Sequence, residues 1–358
     1  MDYQWDNPLD RMKLSTSTST GAIHSNAVTS EDKRVINGMG DINQLAPFKY
    51  PWAWEFFLNA NKNHWTPLDI GMLEDVTDYH HKLNDAERHV YSNVLAYLTT
   101  SDVMAMRNIG LAVMEKMTAP ELQIYQARQV YEEALHCWTY LHCIETIGLN
   151  QHEIYNRYRV VPEINAKIRM SSDKLNAAMR SDIDLRNRDD LEQFLESYLF
   201  FAAIFEGTWF YNGFSPIFSL QRRNLMKRTA EQLQYIMRDE VLHATFGIRV
   251  VRQIMLEEQI TLDPKVVQNL WEEAEAIEED YINYILRNPI LGYNVEDHMN
   301  QFRFIANRRA RQLNMPEPYL GAVNALPWLD EQANSRKEKN FFEGKIIDYQ
   351  SGGALKWD

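Results

Sequence analysis

The sequence predicts an all-α fold, a four-helix bundle with additional helices and a dinuclear metal site in its core. Apolar residues recur at helical spacing over most of the chain after residue 84, and strand-like alternation is hard to find. Within this region the pattern Glu-x-x-His occurs twice, at Glu133–His136 and at Glu240–His243. A separation of three residues places both side chains on one helical face, and two such helices can enclose a pair of metals.

The helices are predicted in chain order from this spacing and from the residues at their ends. Their predicted ranges are 84–116, 120–147, 151–170, 189–217, 221–257, 264–286 and 293–312. Asn84 is a capping residue for the first helix and Gly148 a stop signal for the second. Asp263 followed by Pro264 is a typical opening for the sixth.

Both ends of the chain are predicted to be flexible tails around one helical domain. Residues 1–40 contain the polar run Ser15–Thr20, which buries too little apolar surface to offset the entropy of ordering. Residues 41–332 form the metal-binding domain. Residues 333–358, charged and then glycine-containing, form the C-terminal tail.

Composition excludes several classes of function. The net charge of −13 argues against a nucleic-acid binder, since such proteins need a basic face to replace phosphate counterions. No apolar stretch approaches the roughly 20 residues that span a bilayer, and the N-terminus lacks the layout of a signal peptide. Cys137 and Cys143 lie on different faces of one predicted helix and do not readily pair. We therefore expect a cytoplasmic protein without a membrane span.

Four predicted helices carry metal-ligating residue types at core-facing positions. These candidates are Asp102, Glu133, His136, Glu206, Glu240 and His243. Asp102 interrupts an apolar stripe, and Glu206 directly follows the apolar run Tyr198–Phe205. Buried carboxylates are costly unless they pair, bind a metal or stay protonated. Oxygen-rich ligation with one nitrogen per metal suits iron or manganese better than tetrahedral zinc.

Three motifs carry a resemblance to a known family. They are Tyr131–His136 (YEEALH), Glu206–Tyr211 (EGTWFY) and Arg238–His243 (RDEVLH). In these the chain resembles the small, radical-generating subunit of class I ribonucleotide reductases, over nearly all of its length from about Gln44. The resemblance implies a ferritin-like bundle, a homodimer, and a large (alpha) subunit as the partner on which the nucleotide is reduced.

The resemblance also implies how the metals are held. One metal would be bound by Asp102, Glu133 and His136, and the other by Glu206, Glu240 and His243. Tyr140 together with Asp102 favours a diiron centre, whereas the segment Trp54–Asn59 is closer to a manganese–iron branch of the family. Tyr235 resembles a residue that delivers electrons in that branch. We expect two metal ions, iron with iron, with manganese–iron as the alternative.

Tyr140 is implied to be the residue that stores the oxidising equivalent. In the diiron branch the reduced metal pair activates dioxygen and oxidises this tyrosine to a stable radical. Such a radical needs a dry pocket, and Phe210, Phe214 and Ile236 are placed by spacing to form its wall.

The remaining implied residues carry the oxidising equivalent away from the metals. Trp65 matches the tryptophan that relays from the site, and Asp239 the carboxylate that joins it to His136. Tyr349 matches the tail tyrosine that passes the equivalent to the large subunit. The terminal segment Leu355–Asp358 resembles the tail that docks there.

Two other functions fit a metal-binding bundle. One is a ferritin-like oxidase that acts directly on a bound organic substrate, and the other is an iron-storage or structural bundle. Trp65, Asp239 and Tyr349 together favour the reductase subunit, because a self-contained oxidase needs neither a relay nor a docking tail.

Overall fold

The computed structural model describes residues 29–38, 45 and 48–334. The first half of the chain forms α1 Pro51–Ala60, α2 Leu73–His81, α3 Asp85–Asn108, α4 Met114–Lys116, α5 Pro120–Ile147, α6 Gln151–Val160 and α7 Pro162–Ala178. The second half forms α8 Arg188–Leu199, α9 Tyr211–Gly213, α10 Ser215–Gln221, α11 Lys227–Glu257, α12 Pro264–Ile285, α13 Val295–Gln312 and α14 Pro327–Asn334. The predicted all-helical architecture is confirmed.

Extended structure is nearly absent from the described chain. Its one β feature there is an isolated antiparallel bridge between Ile290 and Tyr293. None of the described helices is both long and apolar enough to cross a membrane.

The predicted helix ends at Asn84, Gly148 and Asp263 are confirmed. Asn84 forms a reciprocal capping box with Glu87, and both side-chain-to-backbone hydrogen bonds measure 2.9 Å. Gly148 ends α5 in the left-handed conformation at φ 80°, which glycine adopts without steric cost. The Asp263 side chain accepts a hydrogen bond from Lys265 N at 2.9 Å at the start of α12.

Two predicted helices have different boundaries in the structure. The range 151–170 is divided, because Val161 before Pro162 takes an extended conformation and α7 begins at the proline. The range 221–257 begins only at Lys227, since Met226 has a left-handed φ of 52° that interrupts the helix.

The ranges 84–116 and 189–217 each contain a π-helical segment that the periodicity did not reveal. Ile109–Val113 joins α3 to α4, and Phe200–Phe210 joins α8 to α9. The second is wholly buried. Short helices α1, α2 and α14 also went unpredicted, since an aromatic-rich or short segment gives little periodic signal.

The bundle core is built by α3, α5, α11 and the π-helical segment Phe200–Phe210. Helix α3 packs along α5, and α11 packs along the π-helical segment. The second pair approaches closely at Gly247, where an added Cβ would lie 2.5 Å from Ala202 Cβ. These four elements carry the candidate ligands, so their side chains meet along the axis of the bundle.

Part of the predicted N-terminal tail is packed on the bundle. Within residues 29–38, Val35 and Ile36 are fully buried. Val35 N donates to Glu257 Oε2 at 3.0 Å, and Arg34 pairs with Glu258 at 2.7 Å. Residues 1–28 and 335–358, and with them nearly all of the predicted C-terminal tail, lie outside the described residues.

Candidate metal centre

All of the carboxylates and imidazoles singled out from the sequence meet in one buried cluster. Their ligand atoms form two groups, each with all its atoms within 4.8 Å of one another. The groups are Asp102, Glu133, His136, Glu240 and Glu133, Glu206, Glu240, His243. Glu133 and Glu240 belong to both groups, whereas the sequence assigned each of them to one metal. Two shared carboxylates between two pockets suit a pair of ions held side by side.

The atoms that face into the cluster lack hydrogen-bond partners among the described residues. They are both carboxylate oxygens of Asp102, Glu133 and Glu240, Oε2 of Glu206, and Nδ1 of His136 and His243. Buried polar atoms are almost always satisfied in folded proteins, and leaving them unpaired is costly. Oxygen and imidazole donors that converge in this way fit two cations, and the residues present therefore fit a dinuclear metal site.

Each donor is held by a rigid element. Asp102 lies on α3, Glu133 and His136 on α5, and Glu240 and His243 one turn apart on α11. Glu206 lies in the π-helical segment, a type of helix that is rare and often found at functional sites.

Glu206 is positioned by two neighbouring contacts. Gln129 Nε2 donates to its Oε1 at 3.0 Å. The next residue is Gly207, and its carbonyl oxygen accepts a hydrogen bond from Arg309 Nε at 2.8 Å. A Cβ on Gly207 would lie 2.7 Å from Ala202 O and 2.9 Å from Arg309 Nε, so this close packing needs glycine.

A second pair of carboxylates holds the two histidines in a crosswise arrangement. Asp239 on α11 lies 3.2 Å from Nε2 of His136 on α5, and Glu132 on α5 lies 2.8 Å from Nε2 of His243 on α11. With the Nε2–H donated outward, Nδ1 of each ring is left to face the cluster.

Glu132 was not recognised in the sequence as a site residue. A signal was present, because an acidic residue directly precedes both Glu-x-x-His motifs, as Glu132-Glu133 and as Asp239-Glu240. Gln129 lies four residues before Glu133, on the same predicted helical face, but no role was predicted for it, and Asn63 was not singled out.

Burial and mutual repulsion shift the titration of the cluster. Burial raises the pKa of Asp102 well above its usual value, with Glu133 adding to the effect, and burial likewise raises the pKa of Glu206. Burial alone would lower the pKa of His136, but its contacts with Asp239, Glu133 and Glu240 raise it well above the usual range. In the absence of cations, protons therefore balance the carboxylate charge, and metal ions compete with them for the same atoms.

Trp65, Asp239 and His136 form a continuous chain of contacts. Oδ2 of Asp239 accepts from Trp65 Nε1 at 3.4 Å and lies 3.2 Å from His136 Nε2. Its other oxygen, Oδ1, accepts from Asn63 Nδ2 at 2.5 Å. Tyr235 stacks on Trp65 with 5.3 Å between ring centroids, and it is less buried than Trp65. The structure thus brings Trp65 and Asp239 into contact with His136, and their role as a relay stays a prediction.

Tyr140 is completely buried and lies beside the cluster. Burial raises the pKa of its phenol well above the usual value, and the charges of Asp102 and Glu240 raise it further. Its hydroxyl has no hydrogen-bond partner among the described residues. Phe210, Phe214 and Ile236, predicted to wall this pocket, are fully buried as well.

Three further predictions concern the cysteines and the C-terminal tail. Cys137 and Cys143 are free thiols, as expected. Tyr349 and Leu355–Asp358 lie outside the described residues, so their predicted roles stay predictions.

Comparisons with known proteins point in one direction. A sequence-family model described as "Ribonucleotide reductase, small chain" matches residues 42–325. The chain is 34% identical to the ribonucleoside-diphosphate reductase subunit beta of Chlamydia pneumoniae, over 88% of this chain and 92% of that protein. It is 30% identical to the small subunit from Dictyostelium discoideum, over 87% of each.

Solved structures show the same fold. The ribonucleotide reductase R2 subunit from Clostridium botulinum superposes with a TM-score of 0.75 at 22% identity, covering 84% of this chain and 94% of that one. The dimanganese(II)-NrdF of Streptococcus sanguinis gives a TM-score of 0.63 at 17% identity, covering 80% and 96%. The residues matched by the family model include every helix that contributes to the buried cluster.

Proposed function

Because this chain belongs to the ribonucleotide reductase small-chain family, we propose that its buried cluster holds two metal ions that generate an oxidising equivalent for ribonucleotide reduction. The chain is the small subunit of a ribonucleoside-diphosphate reductase, and the large subunit is its partner by family. One observation carries the proposal: nine buried nitrogen and oxygen atoms from six side chains converge in the interior without a hydrogen-bond partner among the described residues. Asp102, Glu133, His136, Glu206, Glu240 and His243 are the proposed ligands.

Two iron ions are the proposed metals, with manganese–iron as the alternative. Each group offers a single imidazole nitrogen among carboxylate oxygens, which suits iron and manganese. Tyr140 and Asp102 support a diiron centre, following the resemblance noted above. The bound metal pair would supply the oxidant by reacting with dioxygen.

Tyr140 is proposed to store the oxidising equivalent. Its raised pKa keeps the phenol protonated until an electron leaves, and the proton must then move from Oη to a nearby base. Asp102 is the carboxylate whose charge acts on this phenol most strongly, so it is the proposed proton acceptor. Complete burial shields the oxidised ring from water and external reductants.

Trp65 and Asp239 are proposed to pass the equivalent outward. Asp239 holds the indole proton of Trp65 and the Nε2 proton of His136 on one oxygen, which couples the indole to a proposed ligand. Tyr349 is proposed to continue this path to the large subunit. A self-contained oxidase would have no use for such a chain, so this contact favours the reductase subunit over that alternative.

A homodimer in the cytoplasm completes the proposal. Helices α3 and α5 pack together, and this part of the bundle leaves several large apolar side chains exposed. They are Val103, Leu111, Tyr131 and Trp138, each at least 40% exposed. Covering these side chains with a second copy would remove them from water.

The test is Tyr140→Phe in protein loaded with metal and exposed to oxygen. We expect metal content to be retained and the tyrosyl radical signal in paramagnetic resonance to be abolished. Metal analysis by mass spectrometry separates iron–iron from manganese–iron loading. An undiminished radical signal in the variant would place the radical on another residue, and metal-free native protein would overturn the proposal itself.

A further inference from the structure

Lys167 on α7 is a fully buried cation enclosed by aromatic rings. Its Nζ lies 4.0 Å from the ring centroid of Tyr97, 4.3 Å from Tyr281 and 4.9 Å from Trp209. It donates to Glu278 Oε2 at 2.5 Å. Cations at this distance from ring faces are attracted to them, but taking an ion pair out of water is expensive. No proposed metal ligand is part of this group.

Glu278 holds the ammonium in one position. Its other oxygen, Oε1, lies 2.7 Å from His298 Nε2, and His298 Nδ1 lies 2.6 Å from the Tyr293 hydroxyl. All of these side chains are buried. Lys167 therefore cannot move away from the three rings without breaking a connected network.

The rings around Lys167 lie close to the metal cluster along the chain. Trp209 follows the proposed ligand Glu206 by three residues in the π-helical segment. Tyr97 precedes Asp102 by five residues on α3, about 7.5 Å along a helix axis. The Asp102 charge acts on the Tyr97 phenol. An oxidant at the cluster thus has oxidisable rings on this side as well as at Trp65.

Trp65 lies beside a carboxylate that binds its indole proton, whereas the rings around Lys167 lie beside a cation. The Trp65 indole donates its proton to the Asp239 carboxylate, an arrangement that assists loss of an electron and a proton. Nε1 of Trp209 and the hydroxyl of Tyr97 have no hydrogen-bond partner in the described chain. They face the Lys167 cation, and the Glu278 carboxylate, whose charge also acts on Tyr97, is already bound by Lys167 and His298.

We propose that Lys167 confines the oxidising equivalent: its ammonium opposes removal of an electron from Trp209, Tyr97 and Tyr281 and so protects the route through Trp65. This inference rests on the proposed function. The suppressed step is a one-electron transfer from the Trp209 ring to the oxidised centre, which would be reduced by one electron. Trp209 would be left as a radical cation that keeps its Nε1 proton beside a second positive charge. Lys167 thus acts through its charge on the neighbouring rings and does not touch the metal cluster.

The test compares the lifetime of the stored oxidant in matched variants. Lys167→Met with Glu278→Gln removes both buried charges together, while Lys167→Arg keeps the cation. After metal loading and oxygen exposure, paramagnetic resonance should show the oxidant decaying about tenfold faster in the double variant. Loss of the ammonium alone is worth more than about a hundredfold at an effective dielectric of about 20, and loss of the Glu278 carboxylate offsets part of it. The arginine variant should keep the native lifetime.

A second comparison separates this role from simple packing. Adding Trp209→Phe to the double variant should lengthen the lifetime again, and deuterated tryptophan should identify a transient Trp209 radical. Glu278→Gln alone keeps the cation and removes its counter-charge, so decay should be no faster than in the native protein. Faster decay in that single variant, or native decay in the double variant at equal metal content, would overturn the inference. If the native protein stores no oxidant, the proposed function fails instead, and the inference with it.

Discussion

Asp239 and Glu132 occupy the same place relative to the two histidines but touch different residues beyond them. Each accepts from the outer nitrogen of a histidine on the facing helix. Glu132 also forms an ion pair with Arg128 at 2.9 Å. Asp239 instead accepts hydrogen bonds from Trp65 and Asn63. One carboxylate therefore serves the metal pocket alone, and the other serves the pocket and the proposed relay.

This difference predicts distinct consequences for Glu132→Gln and Asp239→Asn. Both substitutions remove the charge that orients a histidine, so each should weaken metal binding by about 10–100-fold in a competitive titration with a chelator. Only Asp239→Asn should also slow transfer of the oxidising equivalent to the large subunit, measured in protein fully loaded with excess metal. Equal transfer rates in the two loaded variants would remove Asp239 from the relay.

Whether a site residue could be predicted depends on how far along the sequence its contact partner lies. Glu133, His136, Glu240 and His243 could be identified because each pair lies within one helical turn. Spacing places Gln129 on the same face, but its contact with Glu206 could not be predicted, because 77 positions of sequence separate the two residues. Such contacts depend on how helices pack, and a residue type gives no sign of them.

Among the elements that the sequence did not predict, the π-helical segment Phe200–Phe210 is the one that carries a proposed ligand. All of its residues are buried and only Glu206 and Thr208 are polar, so no polar face sets a period that could distinguish π from α. Thr208 reveals the wider turn, since its hydroxyl donates to the carbonyl of Ala203, five residues earlier, at 2.8 Å. The local geometry that positions Glu206 is therefore a product of packing against α11 and α13.

Gly207→Ala tests whether this segment controls the site. The new methyl would collide with Ala202 O and with Arg309, a buried side chain that cannot move freely. We expect a loss of about 1–3 kcal/mol in the free energy of unfolding, as for overpacked interiors, together with weaker binding of the metal nearest Glu206. Thermal unfolding and metal stoichiometry are the measurements.

Gly213→Ala is the matched control. It lies at the end of α9, where a Cβ would meet no atom within 4 Å. Alanine favours a helix over glycine by up to about 1 kcal/mol, so stability should be unchanged or slightly higher and metal binding unaffected. If the two variants had equal unfolding temperatures and equal metal stoichiometry, close packing at Gly207 would not be what positions Glu206.

For the whole molecule, the sequence predicted the bundle and its buried charge more reliably than the places where helices stop. Amphipathic periodicity and two Glu-x-x-His motifs are repeated over many residues, so single exceptions do not hide them. The breaks at Val161 and Met226 each depend on one residue's backbone conformation. Only the first had a local cause that could have been read, the proline that follows it.

Helix α14 is the last described element, and it precedes in sequence the residues proposed to meet the large subunit. Leu329 is fully buried, and Asp330 accepts from the Tyr211 hydroxyl at 2.6 Å and from Arg308 at 2.8 Å. These contacts hold α14, the last described element, against the bundle.

Removing residues 335–358 should therefore leave the bundle and its metal site intact while ending turnover with the large subunit. We expect the melting temperature and metal content of the truncated protein to match those of the full chain, because α14 and its contacts remain. Leu329→Ala is the contrasting variant, since a buried leucine truncated to alanine costs about 2–5 kcal/mol. Tyr349→Phe in the full chain tests the relay without removing the docking segment. Full deoxyribonucleotide formation by the truncated protein would refute the proposed path through Tyr349, whereas loss of metal would show that the tail belongs to the folded unit.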